Sequence, residues 1–282
     1  MSNDTKNYLF TGANAGIGLA ATLQLADLPS STHVYMLCRD TGKARRARGK
    51  LGNVHCVAFD CYRPNDIDLS QLPSTIHGIL LNAGGLGDDS SASLLAPLNL
   101  LGHVRLVESL MQQGQLAPDC RIIAAGSEAV FTIPDWRDTD WMGHLRGTAG
   151  DWTNRYAYSK GMVALYWSAF ARRHPNYFVA TISPGAVHGT HFYQSAPAMV
   201  KIAARVLTWM HGSHAADEGA ARYLDGLLWG RRVEITSGSF WAHRKGYVRD
   251  FGDVVSKRAV FGDVALQDQV WDAVNEFMKE EN

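Results

Sequence analysis

The 282-residue sequence is short of most features that would point to a specialised class of protein. Only four cysteines occur, Cys38, Cys56, Cys61 and Cys120, too few for a disulfide framework and without the spacing of metal ligands. Cys38, Cys56 and Cys120 lie in or beside apolar runs and read as small core residues. Net charge is missing as well, since 27 Lys plus Arg balance 27 Asp plus Glu, which excludes a nucleic acid held by bulk charge. The basic run Lys43 to Lys50 reads as a solvated helix face. No apolar run is long enough to span a bilayer, and the polar opening from Met1 to Lys6 has no signal-peptide core, so no stable membrane span and a cytoplasmic location are expected. Internal repeats and Pro/Ser-rich linkers are also absent. A hydrophobic content of 46% is then expected to form one core in a single domain, 1–282.

What is present is an alternation. Short β-type runs occur at Tyr8–Phe10, His33–Cys38, Val54–Phe59, Gly78–Leu81, Arg121–Ala125 and Tyr177–Ile182. Helical stretches separate them, the longest from about Ser93 to Gln113. Such spacing calls for right-handed crossovers and a parallel sheet covered on both faces: an α/β, doubly wound fold with its ligand crevice at the carboxyl ends of the strands. Two connections interrupt the pattern, at about 128–152 and 186–212, and long connections in a compact domain are often functional lids. The first carries Trp136, Trp141 and Trp152.

Gly12, Gly16 and Gly18 stand between the first strand and the first helix, in Thr11-Gly-Ala-Asn-Ala-Gly-Ile-Gly18. A turn entering a helix there points free N–H groups and the positive helix end at a pyrophosphate, with Asn14 and Ile17 in the same turn. Read alone, the glycines are simply turn residues. Asp60 follows the third strand and Asn82-Ala83-Gly84 the fourth, both on the same sheet edge. Asp60 by itself is a turn or N-cap residue; in this register it can accept from an adenine amino group. The second strand ends Leu37-Cys38-Arg39-Asp40. An Arg at this point pairs with the 2′-phosphate of NADP(H), whereas an acidic residue favours NAD(H). Arg39, with Lys43 as a second cation, gives NADP(H); a register slip of one would put Asp40 there instead.

Tyr156 and Lys160 are four residues apart on a helical stretch, hence on one side of it. An ammonium beside a phenol favours the phenolate, as general acid/base work requires. Such pairs are also ordinary surface contacts. Tyr158, two residues from Lys160, faces elsewhere and reads as packing. Met162, Leu165, Ala169 and Phe170 are expected to form the buried face of this helix. Ser127, just past the fifth strand, can hold a substrate oxygen. Asn99 sits within an apolar helical stretch, where its amide needs a partner. A water bridging to Lys160 would serve and would open a proton path; a buried, helix-bending Asn is the alternative.

In this order, the glycine turn, Asp60, Asn82-Ala83-Gly84, Asn99, Ser127, Tyr156-x-x-Ser-Lys160 and Pro184-Gly185 resemble the short-chain dehydrogenase/reductase family over nearly the whole chain. The Cys38-Arg39 pair and the tail around Gly238–Trp241 and Gln269–Trp271 look most like its retinol dehydrogenase and protochlorophyllide reductase-like branch. The resemblance implies a Rossmann-type fold and a catalytic tetrad of Asn99, Ser127, Tyr156 and Lys160. It also implies that Pro184, Gly185, Val187 and Thr190 lie beside the nicotinamide, and that no metal is needed. Two departures stand out: the stretch from Ser127 to Tyr156 is longer than usual, and Thr190 comes late, after His188. His188 and His191 read as loop residues.

The expected activity is NADPH-dependent interconversion of a ketone or aldehyde and an alcohol. The alternatives are reduction of a conjugated C=C bond and an NADP-sensing protein without turnover. Residues 197–210 form an amphipathic pattern with Met199, Ile202, Val206 and Met210 on one side. Placed over the cleft, with tryptophans to stack on the substrate, they suit a bulky hydrophobic or aromatic compound. Family members often form a homodimer through the helices bearing Asn99 and Tyr156, and the 128–152 insertion stands next to that contact.

Overall fold

The central apolar runs become strands buried on both faces, whereas the run at Val54–Ala58 forms an edge strand in which His55 and Cys56 are half-buried and Ala58 is exposed. The computed structural model of the chain describes residues 5–28, 31–86, 93–151, 154–187, 215–228, 234–243, 251–255 and 258–281. Six strands fall where the runs predict: β1 (Lys6–Thr11), β2 (Thr32–Cys38), β3 (Val54–Ala58), β4 (Ile76–Leu81), β5 (Leu116–Ala125) and β6 (Phe178–Ile182). Two short strands not predicted, β7 (Phe240–His243) and β8 (Phe251–Asp253), complete a sheet in the order β3-β2-β1-β4-β5-β6-β7-β8. Every pairing is parallel except β7 with β8. The β4–β5 register jumps between Ile76↔Leu116 and Gly78↔Arg121. Pro118 lies in that gap, where it has no N–H to give to the ladder.

Seven α-helices are described: α1 (Gly16–Ala26), α2 (Thr41–Arg48), α3 (Gly102–Gln112), α4 (Trp141–Arg146), α5 (Arg155–Arg173), α6 (Ala216–Leu227) and α7 (Val264–Glu280). Successive strand residues point to opposite faces. Leu9, Ile79, Ile122 and Val179 therefore join one apolar cluster with residues of α3, α5 and α7. Phe10, Leu80, Ile123 and Ala180 join a second with residues of α1 and α6. The fold is thus the expected doubly wound α/β architecture. The basic run forms α2, with Lys43, Arg45 and Arg46 exposed, Ala44 buried, and Arg48 half-buried and donating to the Leu51 and Val54 carbonyls.

The structure departs from the sequence reading in four places. The helix expected from Ser93 to Gln113 contains a wide π-type turn, Pro97–Leu101, in which Gly102 N–H bonds to the Pro97 carbonyl. Pro97 has no N–H and crowds the preceding turn, and a widened turn absorbs both defects. Second, α5 has no single buried stripe: Met162, Leu165, Ala169 and Phe170 are buried, but so is every residue from Ser159 to Ala171. This helix lies between the sheet and a second layer, with α4 and α7 against its outer side. Third, Trp136 and Trp141 are core residues rather than cleft-lining ones. Their rings stack at 6.1 Å, and Trp136 fills the notch left by Gly161, where a Cβ would run into the indole. Fourth, Cys56 is only half-buried, unlike Cys38, Cys61 and Cys120.

The Asp263 carboxylate caps the N-terminus of α7 by accepting from Ala265 and Leu266 N–H. The helix then lies along α5, stacking Trp271 on Tyr166 at 4.9 Å and pairing Asp268 with Arg172 and Arg173. Arg105 of α3 donates to the Met278 carbonyl at 2.7 Å. Thus α7 rests against the same two helices through which a homodimer was expected. Among the described residues no helix is long and apolar enough to cross a membrane. Trp152 and the 197–210 stretch lie outside the described residues.

Candidate active site

The carboxyl ends of β1, β4, β5 and β6 share one edge of the sheet, and the segments that follow them meet there. Gly12 and Gly16 adopt positive φ angles of 62° and 54°, the left-handed region open to glycine. A Cβ on Gly12 would lie 2.8 Å from the Ala83 Cα, and one on Gly18 would lie 2.6 Å from Asn82 Nδ2. The two turns are also bonded together. Asn82 and Ala83 N–H donate to Thr11 Oγ1 at 2.9 and 3.0 Å, and Asn82 Nδ2 donates to the Thr11 and Gly12 carbonyls. At the start of α1 the cap residue is Ala15, which offers no side-chain bond, and the first turn has no acidic residue. Its open N–H groups suit an anion. The crowded glycine cradle and this uncapped helix end fit a dinucleotide pyrophosphate, with Asn14 and Ile17 half-buried in the turn.

Arg39 is exposed at the end of β2, its guanidinium 5.8 Å from the centre of the Tyr62 ring. Asp40 is occupied differently: its carboxylate caps α2, accepting from Lys43 N–H at 2.8 Å. Asp60 Oδ1 accepts from Tyr62 N–H at 3.0 Å, so the turn role is realised at the expected strand edge.

Tyr156 and Lys160 occupy the first turns of α5, which meet the end of β5. Lys160 is 4% exposed and donates to the Ala125 carbonyl at 2.9 Å. Burial pulls its pKa down to about 8. Gly84 leaves room for it, since a Cβ there would lie 3.4 Å from Nζ and 2.8 Å from Asn99 Oδ1. Ser127 follows β5 and accepts from Ala129 N–H at 3.2 Å, starting a short 3-10 turn, Glu128–Thr132, packed against α5. Tyr156, one turn before Lys160 on α5, is half-buried. Tyr158 packs elsewhere, 3.9 Å from the His144 ring.

The Asn99 amide does not need the bridging water that its sequence context suggested. Its Oδ1 accepts from Gly85 N–H at 3.0 Å, and its Nδ2 donates to the Gly85 carbonyl and Ser159 Oγ, each at 3.1 Å. Ser159 Oγ in turn donates to the Tyr156 carbonyl at 2.8 Å. Asn99 therefore holds the Tyr156–Lys160 turn through protein bonds.

Pro184 and Gly185 follow β6. Gly185 has φ 81° and donates to Ser183 Oγ at 3.2 Å. The Ser183 hydroxyl donates to Glu128 Oε2 at 2.5 Å, and Glu128 Oε1 accepts from His243 N–H at 3.1 Å. Arg222 donates to the Pro184 carbonyl at 2.9 Å. Val187 is half-buried against Gly219. Thr190, His188 and His191 lie outside the described residues. Sequence reasoning missed Thr11, His103, Glu128, Ser183 and Arg222. The test applied to Asn99, that a polar residue in an apolar stretch must have a partner, also applies to Thr11 and His103. Nothing local marks the other three. Among the described residues no group of three or more His, Cys, Asp or Glu side chains is placed to hold a metal.

No family model matches the chain. It is similar to the chloroplastic protochlorophyllide reductase of Marchantia paleacea, 30% identical over 167 residues that span 50% of this chain and 36% of that one. It is also similar to human dehydrogenase/reductase SDR family member 12, 26% identical over 194 residues, 63% of this chain and 59% of the relative. The aligned parts thus cover about a third to three-fifths of these relatives. In structure it resembles salutaridine reductase from Papaver somniferum, with a TM-score of 0.65 at 18% identity over 83% of this chain and 99% of that one. These sequence likenesses, together with the ordered glycine turn, Asn-Ala-Gly turn and Tyr-x-x-Ser-Lys turn on a doubly wound sheet, make the chain similar to members of the short-chain dehydrogenase/reductase family, protochlorophyllide reductase among them.

Proposed function

We propose that the chain is an NADP(H)-dependent oxidoreductase that interconverts a ketone or aldehyde and the corresponding alcohol on a bulky hydrophobic or aromatic compound. One observation carries this reading. The Tyr156–Lys160 turn is fastened to the end of β5 by Lys160 and to the π-type turn by Asn99 and Ser159, on the sheet edge that holds the glycine cradle. A bound reduced nicotinamide supplies two electrons and a hydrogen to the substrate carbon. The chain supplies the rest. The Ser127 hydroxyl, its oxygen already accepting from Ala129 N–H, has its proton to donate to the substrate oxygen. Tyr156 delivers a proton to that oxygen as negative charge develops on it. Lys160 would favour the phenolate that remains. Pro184 and Gly185, braced by Ser183 and Arg222, form a wall against the nicotinamide.

NADP(H) is supported by the division of labour at β2. Asp40 is committed to capping α2, which leaves Arg39 to pair with a 2′-phosphate. A hydrophobic substrate is supported by the apolar side of the 197–210 pattern, and by relatives named for the reduction of protochlorophyllide and of salutaridine. The test is a panel of aromatic and aliphatic ketones, enones and sugars, assayed with NADPH and with NADH. Alcohol formation from hydrophobic carbonyls, with higher kcat/KM for NADPH, is expected. A saturated ketone as product, or preference for sugars, overturns the substrate assignment. Better efficiency with NADH removes Arg39 from its role.

A further inference from the structure

His103 lies on α3, one turn after Asn99, and is 2% exposed. Counting protons at its neighbour fixes its chemical form. Thr11 Oγ1 accepts from both Asn82 and Ala83 N–H, which uses its two lone pairs. Its own proton must therefore be donated, and His103 Nε2 at 3.0 Å is better placed to take it than the Leu80 carbonyl at 3.5 Å. Nε2 is then an acceptor, and the imidazole proton sits on Nδ1. The Asn99 main chain, one turn earlier on the same helical segment, favours a proton on this imidazole, and Nδ1 is the nitrogen left to carry it. The path continues through the Asn99 amide to Ser159 Oγ and on to the Tyr156 carbonyl. Gly102 keeps this part of the helix tight against the Cys61 main chain, with no space for a Cβ.

We propose that His103 is a positioning residue: as a neutral imidazole protonated on Nδ1, it ties the floor of the cofactor cradle to the turn that carries Tyr156 and Lys160. The inference rests on the oxidoreductase reading given above and deepens it. Reduction of a carbonyl needs the hydrogen donor and the proton donor at adjoining atoms of one substrate. The two donors sit on separate elements, the cradle after β1 and β4 and the first turn of α5. A bonded chain between these elements sets their separation, and errors of about 1 Å in such geometry cost about 10²-fold in rate. Burial disfavours the charged imidazole, and the Lys160 ammonium adds to this, so the neutral form holds through the working pH range. The other group facing the ring is Cys61 Sγ, 3.7 Å from Nε2, and its thiol is pushed up to about 12 by burial.

Three variants separate the two bonds. His103→Phe removes both. His103→Asn retains a donor at the Nδ1 position, and His103→Gln retains an acceptor near Nε2. For His103→Phe we expect kcat to fall about 10- to 100-fold, with NADP(H) affinity by fluorescence titration changed less than about threefold. We also expect a larger isotope effect on kcat with deuterated cofactor, which simple loss of folded protein would not produce. His103→Asn, which preserves the link to Asn99, should recover more of kcat than His103→Gln. Wild-type kcat and isotope effect in His103→Phe would overturn the proposal. If that variant does not fold, ¹⁵N NMR of the wild-type imidazole decides. Nε2 unprotonated and non-titrating between pH 5 and 9 supports the link; a proton on Nε2 or a mid-range titration sinks it. The NMR measurement needs no substrate, so it stands apart from a failure to find carbonyl turnover.

Discussion

The two walls of the cleft are built by different means. On the β1–β4 side the ligand-facing surface is main chain at close quarters, with positive φ at Gly12 and Gly16, turns packed too closely for a side chain and a helix end left open by Ala15, while Thr11 and Asn82 bond the two turns together behind it. On the β5–β7 side it comes from side chains distant in sequence. Glu128 reaches Ser183 and His243, Arg222 reaches Pro184, and Trp136 seats the 128–151 segment in the notch at Gly161. The first wall tolerates little substitution because backbone must approach ligand. The second is assembled only when the core closes, so the contacts that shape it also contribute to stability. Binding should be lost first on one side, and folding or turnover on the other.

The largest effect expected from this division is at Tyr156. Tyr156→Phe should lower turnover about 10²- to 10⁴-fold, as loss of a proton-transfer group does, while NADP(H) affinity measured by titration stays within threefold. Turnover near wild type would remove the phenol from the mechanism. Next come two glycines. Gly161→Ala should destabilise the fold by about 1–3 kcal/mol through overpacking against Trp136, read as a shifted urea midpoint. Gly12→Ala should instead appear mainly as weakened cofactor binding. If the two substitutions gave the same pattern, the contrast between the walls would collapse. Arg39→Ala should raise KM for NADPH about tenfold, the value of one charge-assisted hydrogen bond, and leave KM for NADH nearly unchanged. Asp40→Ala should cost about 1 kcal/mol of stability as a lost cap without reversing the cofactor preference.

The smallest effect concerns Lys160 and carries a sign. Burial holds its folded-state pKa at about 8, below the ordinary lysine value of 10.5. Between those values the unfolded chain binds more protons than the folded one, so cofactor-free protein should gain stability from this group as pH rises from 8 to 10.5. At pH 7 the buried ammonium is a cost. Lys160→Met should therefore raise cofactor-free stability by about 1 kcal/mol, after the lost bond to Ala125 is set against the relieved desolvation, while activity falls sharply. A decrease in stability at pH 7 would show that the Ala125 bond outweighs the burial cost.

The sheet was legible because its central strands β4, β5 and β6 are buried on both faces over most of their length and read as continuous apolar runs. Short β7 and β8 gave no such signal, and Pro97 alone hinted at the π-type turn. The candidate site was legible in its types and order: a glycine turn at a strand end, Asn82-Ala83-Gly84, Ser127, and Tyr156 one turn from Lys160. The partners of those residues were not. The apolar surroundings of Asn99 show that it needs a partner, but that the partners are Gly85 and Ser159 follows only from the packing of α5 beside it. Trp136 and Trp141 read from sequence as available to a substrate, but Trp136 fills the notch at Gly161 and stacks on Trp141.

By itself, then, the sequence determined whatever depends on a few adjacent residues: strand and helix periodicity, the turns that only glycine permits, and the one-turn spacing of Tyr156 and Lys160. The tertiary structure decided what depends on closure over long separations, such as the bond from Thr11 to His103, 92 residues apart, and that from His243 to Glu128, 115 apart. The physical reason is range. Backbone sterics and helical geometry act within a turn or two, whereas the bond formed by a buried polar group is set by whatever the packed core brings beside it.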